Sequence, residues 1–461
     1  MEFQARIDLD QIGEDGETVL HRCAQLGHLG AVQKLVRAGA NMNLQNKAGS
    51  TPLGEAVWSI SRDVISYLLE RGADPNAAGK DLGHREGPLL RACRDSDYTI
   101  AKMLIDHGAD VNCDSVSGFG TPLMAVCLPY SKYLEDTDKL TQHLLELGVD
   151  VNAKSRYVGS PLAAAALSSR PNIVRALLDK GAVYDREDDL KRKPIHFAAI
   201  NGEENFRIIE ELGGNVAEVD ILSRSVLHYA AQGGRLRVIK RIFELLPELD
   251  INIRDIDGWT PLCWVARGTT SWVSEDRASE PTDPVGVVQY LLERGADRSV
   301  KCKIGDGVWT PLQLAYYTGA PDEVITLLKQ ESETGLQSDD ASKIADDMND
   351  LSKQKGKVIE GVTCDACLWE IRGIYHQCKV CCDFALCPKC WSHRDLVHVF
   401  ESPHEFEVID PNSDNNSRTS KEEPENSSQS VLSDSLASDG KDHDNDEDKT
   451  SMKAARADEG K

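Results

Sequence analysis

The sequence holds no apolar run that approaches the ~18 residues a membrane-crossing helix requires. It opens on no charged-then-apolar leader. These two absences set an expectation of a cytoplasmic or nuclear protein, where thiols stay reduced. Basic charge is also scarce: 52 Lys and Arg stand against 76 Asp and Glu, for a net charge of −24. Such a surface repels phosphate backbones, because binding there depends on Lys and Arg replacing counterions. No nucleic acid and no membrane is therefore expected as a partner. The one basic triplet, KRK at Lys191–Lys193, falls in an expected loop and reads as a solvated tip. A phosphate-cradling glycine loop and a nucleophile elbow are missing too, so no ordinary enzyme class is expected.

What is present is repetition. A Thr-Pro-Leu-like triplet recurs at Thr18, Thr51, Gly87, Thr121, Ser160, Lys193, Ser225, Thr260 and Thr310. The spacings are 33, 36, 34, 39, 33, 32, 35 and 50 residues, and a period near 33 predicts a solenoid. The parts of each unit have physical reasons. Thr or Ser is a helix N-cap whose hydroxyl accepts an orphan backbone N–H. Pro follows at the first helical position, where its missing donor costs nothing. Small residues such as Ala56, Ala164, Ala230 and Ala315 let neighbouring helices approach closely. A second helix carries an aliphatic pair, as in VISYLLERGADPN from Val64 to Asn76. Gly39, Gly72, Gly108, Gly148, Gly181 and Gly295 then stop those helices in the left-handed conformation.

This pattern resembles the ankyrin repeat family over roughly residues 10–330. The units at Lys193 and Ser225 depart most from it. The resemblance implies a stack of helix pairs that presents hairpin tips and a concave face to other proteins. It also implies that His21, His196 and His228, at the fourth anchor position, bond within their turns rather than act in catalysis. Trp259 and Trp309, each just before a triplet, read either as contact residues or as packing over the turn. The eighth unit carries the insertion RGTTSWVSEDRASEPTDP with Trp272 inside it. Cys23, Cys93, Cys113, Cys127, Cys263 and Cys302 are scattered and read as buried small apolar thiols.

Residues 331–357 are polar and read as a linker, with a short helix expected near Ile344–Leu351. Residues 410–461 are Ser, Asn, Asp and Glu with few apolar side chains. They bury too little to offset chain entropy and read as a disordered acidic tail.

Between these two lies a dense cysteine cluster: seven of the chain's 13 cysteines fall in the 27 residues from Cys364 to Cys390. Three Cys-x-x-Cys pairs stand out, Cys364 with Cys367, Cys378 with Cys381, and Cys387 with Cys390. Each offers the two-thiolate bite that tetrahedral zinc accepts. A shifted pair, Cys378 with Cys382, is also chemically possible. Two tetrahedral sites need eight ligands, and His393, His398 and His404 lie near enough to supply the remaining two. A segment of about 45 residues has too small a core to fold unaided, so metal is expected to supply folding energy. Closed four-ligand sites leave no position for water and are structural.

The pattern resembles the ZZ-type zinc finger, in GVTCDAC at Gly361–Cys367, IRGIYHQCKVC at Ile371–Cys381, DFALCPKC at Asp383–Cys390 and HEF at His404–Phe406. The resemblance covers residues 358–409 and implies two cross-braced structural Zn2+ ions. By that likeness Cys364, Cys367, Cys387 and Cys390 hold one ion, and Cys378, Cys381, His398 and His404 the other. His393 stays open as the alternative to His398. Cys382 is then a spare thiol, and Trp369, Tyr375, Phe384, Trp391 and Phe406 form a small core around the metals. The likeness further implies capture of a peptide N-terminus, with Asp365 and Asp383 pairing with its ammonium. Leu368 and Ala385 depart from the acidic or polar residues that such binders carry. The alternative is a finger that only packs against the array or a partner.

The expected fold is mainly α: an ankyrin-repeat solenoid of about nine helix-turn-helix units, a small cross-braced two-zinc finger and the tail. The architecture resembles the C-terminal end of ankyrin/ZZ proteins of filamentous fungi. The function this implies is non-enzymatic: a protein–protein interaction scaffold. The alternatives are a substrate-recruiting subunit of a ubiquitin ligase and a reader of histone tails.

Overall fold

A computed structural model describes residues 8–14, 16–77, 86–114, 120–128, 134–155, 158–168, 170–268, 281–304, 307–329, 358–364, 369–372, 375–378, 385–397 and 405–409. The chain divides into two compact units, residues 1–413 and 414–461, and all described residues belong to the first. The expected linker 331–357, the expected tail 410–461 and Trp272 lie outside the described residues.

Every anchor opens a helix, and each helix is followed by a second. The first four pairs are α1 (Val19–Gln25) with α2 (Leu29–Arg37), α3 (Pro52–Trp58) with α4 (Arg62–Glu70), α5 (Pro88–Arg94) with α6 (Tyr98–Asp106), and α7 (Pro122–Cys127) with α8 (Leu134–Glu146). The next three are α9 (Pro161–Leu167) with α10 (Pro171–Asp179), α11 (Pro194–Asn201) with α12 (Glu203–Glu211), and α13 (Val226–Gln232) with α14 (Leu236–Leu245). The last two are α15 (Pro261–Ala266) with α16 (Pro284–Glu293), and α17 (Pro311–Thr318) with α18 (Asp322–Lys329). First helices pack on first helices and second helices on second, as a solenoid requires.

From α9 to α16, burial separates the first helices from the second. α9 and α13 are buried along their whole length. α2 buries only Val32, and α12 only Asn205, Phe206 and Ile209. The alanines of the first helices make this tight layer possible. At the end of α13 the approach is closer still. A Cβ at Gly233 would stand 2.1 Å from the Ile200 carbonyl oxygen, so only glycine fits. Gly72 and Gly295, with φ of 86° and 90°, reverse the chain after their helices as expected.

The anchors cap their helices in two ways. Thr51 and Ser160 accept the Gly54 and Ala163 N–H with their hydroxyls, each at 3.2 Å. At Lys193, which has no acceptor to offer, the cap runs backwards: His196 Nδ1 accepts the Lys193 N–H at 3.0 Å. His21 and His228 do the same for Thr18 and Ser225 at 3.2 and 3.0 Å. Their Nε2 atoms donate to the Ser50 and Trp259 carbonyls of the next unit at 3.1 and 3.0 Å. The three histidines are therefore structural, as the resemblance implied. Burial pushes all three below the ordinary histidine pKa, His196 to about 4.

Asparagines at the hairpin tips tie successive units together. The Asn43, Asn76, Asn112 and Asn152 side-chain carbonyls accept the N–H of Asp74, Asp110, Asp150 and Val183 at 3.0, 2.8, 3.1 and 2.9 Å. Asp188 and Asp220 fold the turns ahead of α11 and α13. Their Oδ2 atoms meet Arg192 and Arg224 Nε at 2.6 and 2.5 Å. This corrects the reading of KRK as a solvated tip. Lys191 is exposed, but Arg192 is 1% exposed, because an ion pair this deep forms only when both charges leave water together.

Three further expectations are settled. Trp259 is fully buried, and its Nε1 donates to the Lys303 carbonyl at 2.8 Å, so it packs rather than projects. Trp309 is partly buried against Tyr317, ring centroids 5.3 Å apart. Cys93, Cys127, Cys263 and Cys302 are buried, whereas Cys23 and Cys113 are only partly so.

Strands appear where a mainly helical chain gave no sign of them. β1 (Cys302–Ile304) and β2 (Gly307–Trp309) form an antiparallel hairpin before the last anchor. In the cysteine-rich segment β3 (Val358–Cys364) pairs with β4 (Trp369–Arg372). β5 (Tyr375–Cys378) lies between β6 (Ala385–Leu386) and β7 (Phe406–Ile409), all antiparallel. Two short helices, α19 (Pro388–Trp391) and α20 (Arg394–Val397), follow β6.

Candidate functional site

The cysteine-rich segment is the part of the chain with metal-binding chemistry. Cys364 ends β3, in register with Trp369, and Cys378 ends β5, in register with Phe406. Cys387 caps α19 with Pro388 at its first position, and Cys390 sits three residues on. Both are buried, at 2% and 0% exposure. Two buried thiols one turn apart have the donor chemistry that a thiophilic cation takes. Cys367, Cys381, Cys382, His398, His404, Asp365, Asp383 and Phe384 lie outside the described residues. Of the expected aromatic core, Phe406 is partly buried in β7.

Between the two thiols stands Lys389, and it reaches into the array. Its Nζ lies 2.7 Å from Asp257 Oδ2 and 3.2 Å from Asp255 Oδ2. The ammonium also lies 5.3 and 5.2 Å from the ring centroids of Trp259 and Trp264. The lysine side chain is 2% exposed and that of Asp255 0%. Burial opposes its charge, but the carboxylates of Asp255 and Asp257 outweigh that and hold its pKa above the usual lysine value. His393, the alternative metal ligand, donates from Nε2 to the other Asp257 oxygen at 2.7 Å. α19 packs on β1, whose Lys303 N–H donates to the Asp257 carbonyl at 3.1 Å.

The turn that receives Lys389 is built like its neighbours. Asp255 Oδ1 accepts the N–H of Asp257 and Trp259 at 3.0 and 2.9 Å. Its Oδ2 accepts from Trp264 Nε1 at 3.2 Å. Sequence reasoning missed this contact surface. Packing of the finger against the array stood there only as an alternative, and Asp255, Asp257 and Lys389 were not singled out. The one available signal was the missing arginine four residues after Asp255.

The comparisons with known proteins agree with the array. Residues 3–79 match the family model described as Ankyrin repeats (3 copies), and residues 84–113 the one described as Ankyrin repeat. The chain is 26% identical over 391 residues to the ankyrin repeat domain-containing protein SAT10 of Stachybotrys chartarum, covering 80% of this chain and 18% of that one. It is 23% identical over 316 residues to the E3 ubiquitin-protein ligase KEG of Arabidopsis thaliana, covering 64% and 19%. It is 30% identical over 196 residues to the putative ankyrin repeat protein YahD of Escherichia coli, covering 42% of this chain and 89% of YahD. The chain thus spans about a fifth of the length of the first two relatives. Ankyrin repeats are modules of protein–protein interaction, generally without enzymatic activity. By repeated anchor, stacked helix pairs and sequence likeness, this chain belongs to the ankyrin repeat family.

Proposed function

We propose that the protein is a non-enzymatic scaffold that binds a partner protein on its ankyrin surface and carries a zinc-stabilised finger at residues 358–409. The observation that carries this reading is the layered array itself. Each second helix keeps exposed residues along nine consecutive pairs among the described residues, and so do tip positions such as Asn43, Asp74, Asp110 and Asp150. A surface repeated at a fixed step is suited to an extended protein partner.

The buried thiols of Cys387 and Cys390 support the metal part of the reading. On it, Cys364, Cys367, Cys387 and Cys390 would hold one zinc and Cys378, Cys381, His398 and His404 the other. The ions would supply folding energy and no reactive water. His393 is the alternative to His398 as the seventh ligand; its Nε2 is engaged by Asp257, so Nδ1 is the nitrogen it would offer a metal. Asp365 and Asp383 would receive a peptide ammonium. A second reading, recruitment of substrate to a ubiquitin ligase, gains support from the likeness to a ligase of that name.

Metal content tests the proposal first. Purified full-length protein should contain about two zinc per chain, and chelation should unfold the 358–409 segment while the array stays helical. Fewer than about two zinc per chain overturns the metal part. Charge reversal at the exposed tip residues Asp74 and Asp110 should weaken a cross-linked partner without changing helicity. Indifference of every partner to tip and outer-helix substitutions overturns the scaffold part. Peptides with free and acetylated N-termini should differ in affinity if the two aspartates act as proposed.

A further inference from the structure

Three successive turns of the array share one construction. Asp188, Asp220 and Asp255 each accept two backbone N–H groups on Oδ1, from the residues two and four positions on. Each is followed nine positions on by an aromatic ring: Phe197, Tyr229 and Trp264. In the first two turns the residue four positions on is an arginine. Its guanidinium meets the aspartate Oδ2 and lies 5.0 Å from that ring, Arg192 over Phe197 and Arg224 over Tyr229. In the third turn the residue at that position is Trp259, and its one polar side-chain atom is spent on the Lys303 carbonyl.

The cation nonetheless arrives. Lys389 Nζ meets Asp255 Oδ2 and lies 5.2 Å from the Trp264 ring, the same two partners that the arginines meet in their own turns. It comes from a residue 132 positions beyond Asp257. A carboxylate with no exposed side chain is costly to leave uncompensated, and two ring faces add attraction for an ammonium. A lysine suits this slot because a slim ammonium fits beside two indoles that pack on each other, ring centroids 5.3 Å apart, whereas Trp259 has taken the space of the in-turn guanidinium.

We propose that the eighth repeat carries a lysine-receiving slot, walled by Asp255, Asp257, Trp259 and Trp264, and that Lys389 fills it in cis, docking the cysteine-rich segment onto the array. The chemical class of the ligand is an alkylammonium side chain. The walls of the slot belong to the array and include no thiol, but Lys389 is carried between Cys387 and Cys390, so its docking rests on the folded finger proposed above.

Chemical rescue in the full-length protein tests this. Lys389→Ala should raise amide hydrogen exchange in residues 385–397 and at residues 257–259 by about tenfold or more. Millimolar n-butylammonium should restore most of that protection, and n-butanol should not. Lys389→Arg should lie between wild type and alanine. Exchange within about twofold of wild type in Lys389→Ala overturns the proposal, and so does rescue by butanol equal to that by the ammonium. Should Lys389→Ala fail to fold, Lys389→Met against Lys389→Arg decides it: equal exchange in the two excludes a slot that selects charge. Zinc content measured on the same samples separates loss of docking from loss of the metal.

Discussion

The turns of the seventh and eighth repeats differ in where their cation comes from. Asp220 is neutralised by Arg224, four residues away, and steadied by the Tyr229 hydroxyl at 2.7 Å. Asp255 is neutralised by Lys389, on a different part of the chain. The first arrangement is complete as soon as the repeat folds. The second is complete only when the cysteine-rich segment has docked. A local pair strengthens one repeat, whereas a remote pair makes the stability of the array's eighth turn depend on the state of its C-terminal neighbour.

Removing the local cation should have the largest effect. Arg224→Met strands a fully buried carboxylate and is expected to cost about 3–5 kcal/mol of array stability, measured by urea unfolding followed in the far ultraviolet. Lys389→Met should cost the array less, because the segment can leave and water can then reach Asp255. Equal losses would erase the distinction between the two turns.

Acid should act next, through His196, whose ring lies 5.1 Å from Tyr229. Burial holds its pKa at about 4 in the folded protein. The unfolded chain binds that proton near pH 6.5, so stability from this group is complete above pH 6.5 and is lost as pH falls toward 4. The loss is about 3 kcal/mol at pH 4. The His196 ring resonances should not titrate between pH 7 and 5, and titration near 6.5 would refute its burial.

The smallest change sharpens the comparison within the array. Tyr229→Phe copies the sixth repeat, where Phe197 stands, and removes one donor from Asp220 at a cost of about 1 kcal/mol. Burial pushes the Asp188 carboxyl up, outweighing Arg192, whereas Asp220 is held below the usual range against its burial by Arg224 and the Tyr229 hydroxyl. The variant should therefore raise the Asp220 pKa toward that of Asp188, as seen by carboxyl carbon-13 titration.

The helices were legible in the sequence because their signals are local. Thr-Pro at an anchor, a run of small residues and a glycine after an aliphatic pair each act within one or two turns, and nine anchors opened nine helix pairs. Reading His21, His196 and His228 as structural succeeded for the same reason, since each cap closes over three residues. KRK was misread because its middle residue is judged by a partner, Asp188, that charge counting ignores. The β1–β2 hairpin escaped notice because it falls within the irregular spacing of 50 residues between the last two anchors, where the period carries no information. The sites assigned at Cys367, Cys381, His398, His404, Asp365 and Asp383 rest on the resemblance alone.

The repeat period, the caps and the grouping of thiols were determined by sequence alone, because each is a relation among neighbours along the chain. Which charge completes Asp255, and where the cysteine-rich segment rests, were decided only by tertiary structure. Lys389 and Asp257 are 132 residues apart, and no periodicity links them. Their pairing is favourable only after stacking has buried the two carboxylates.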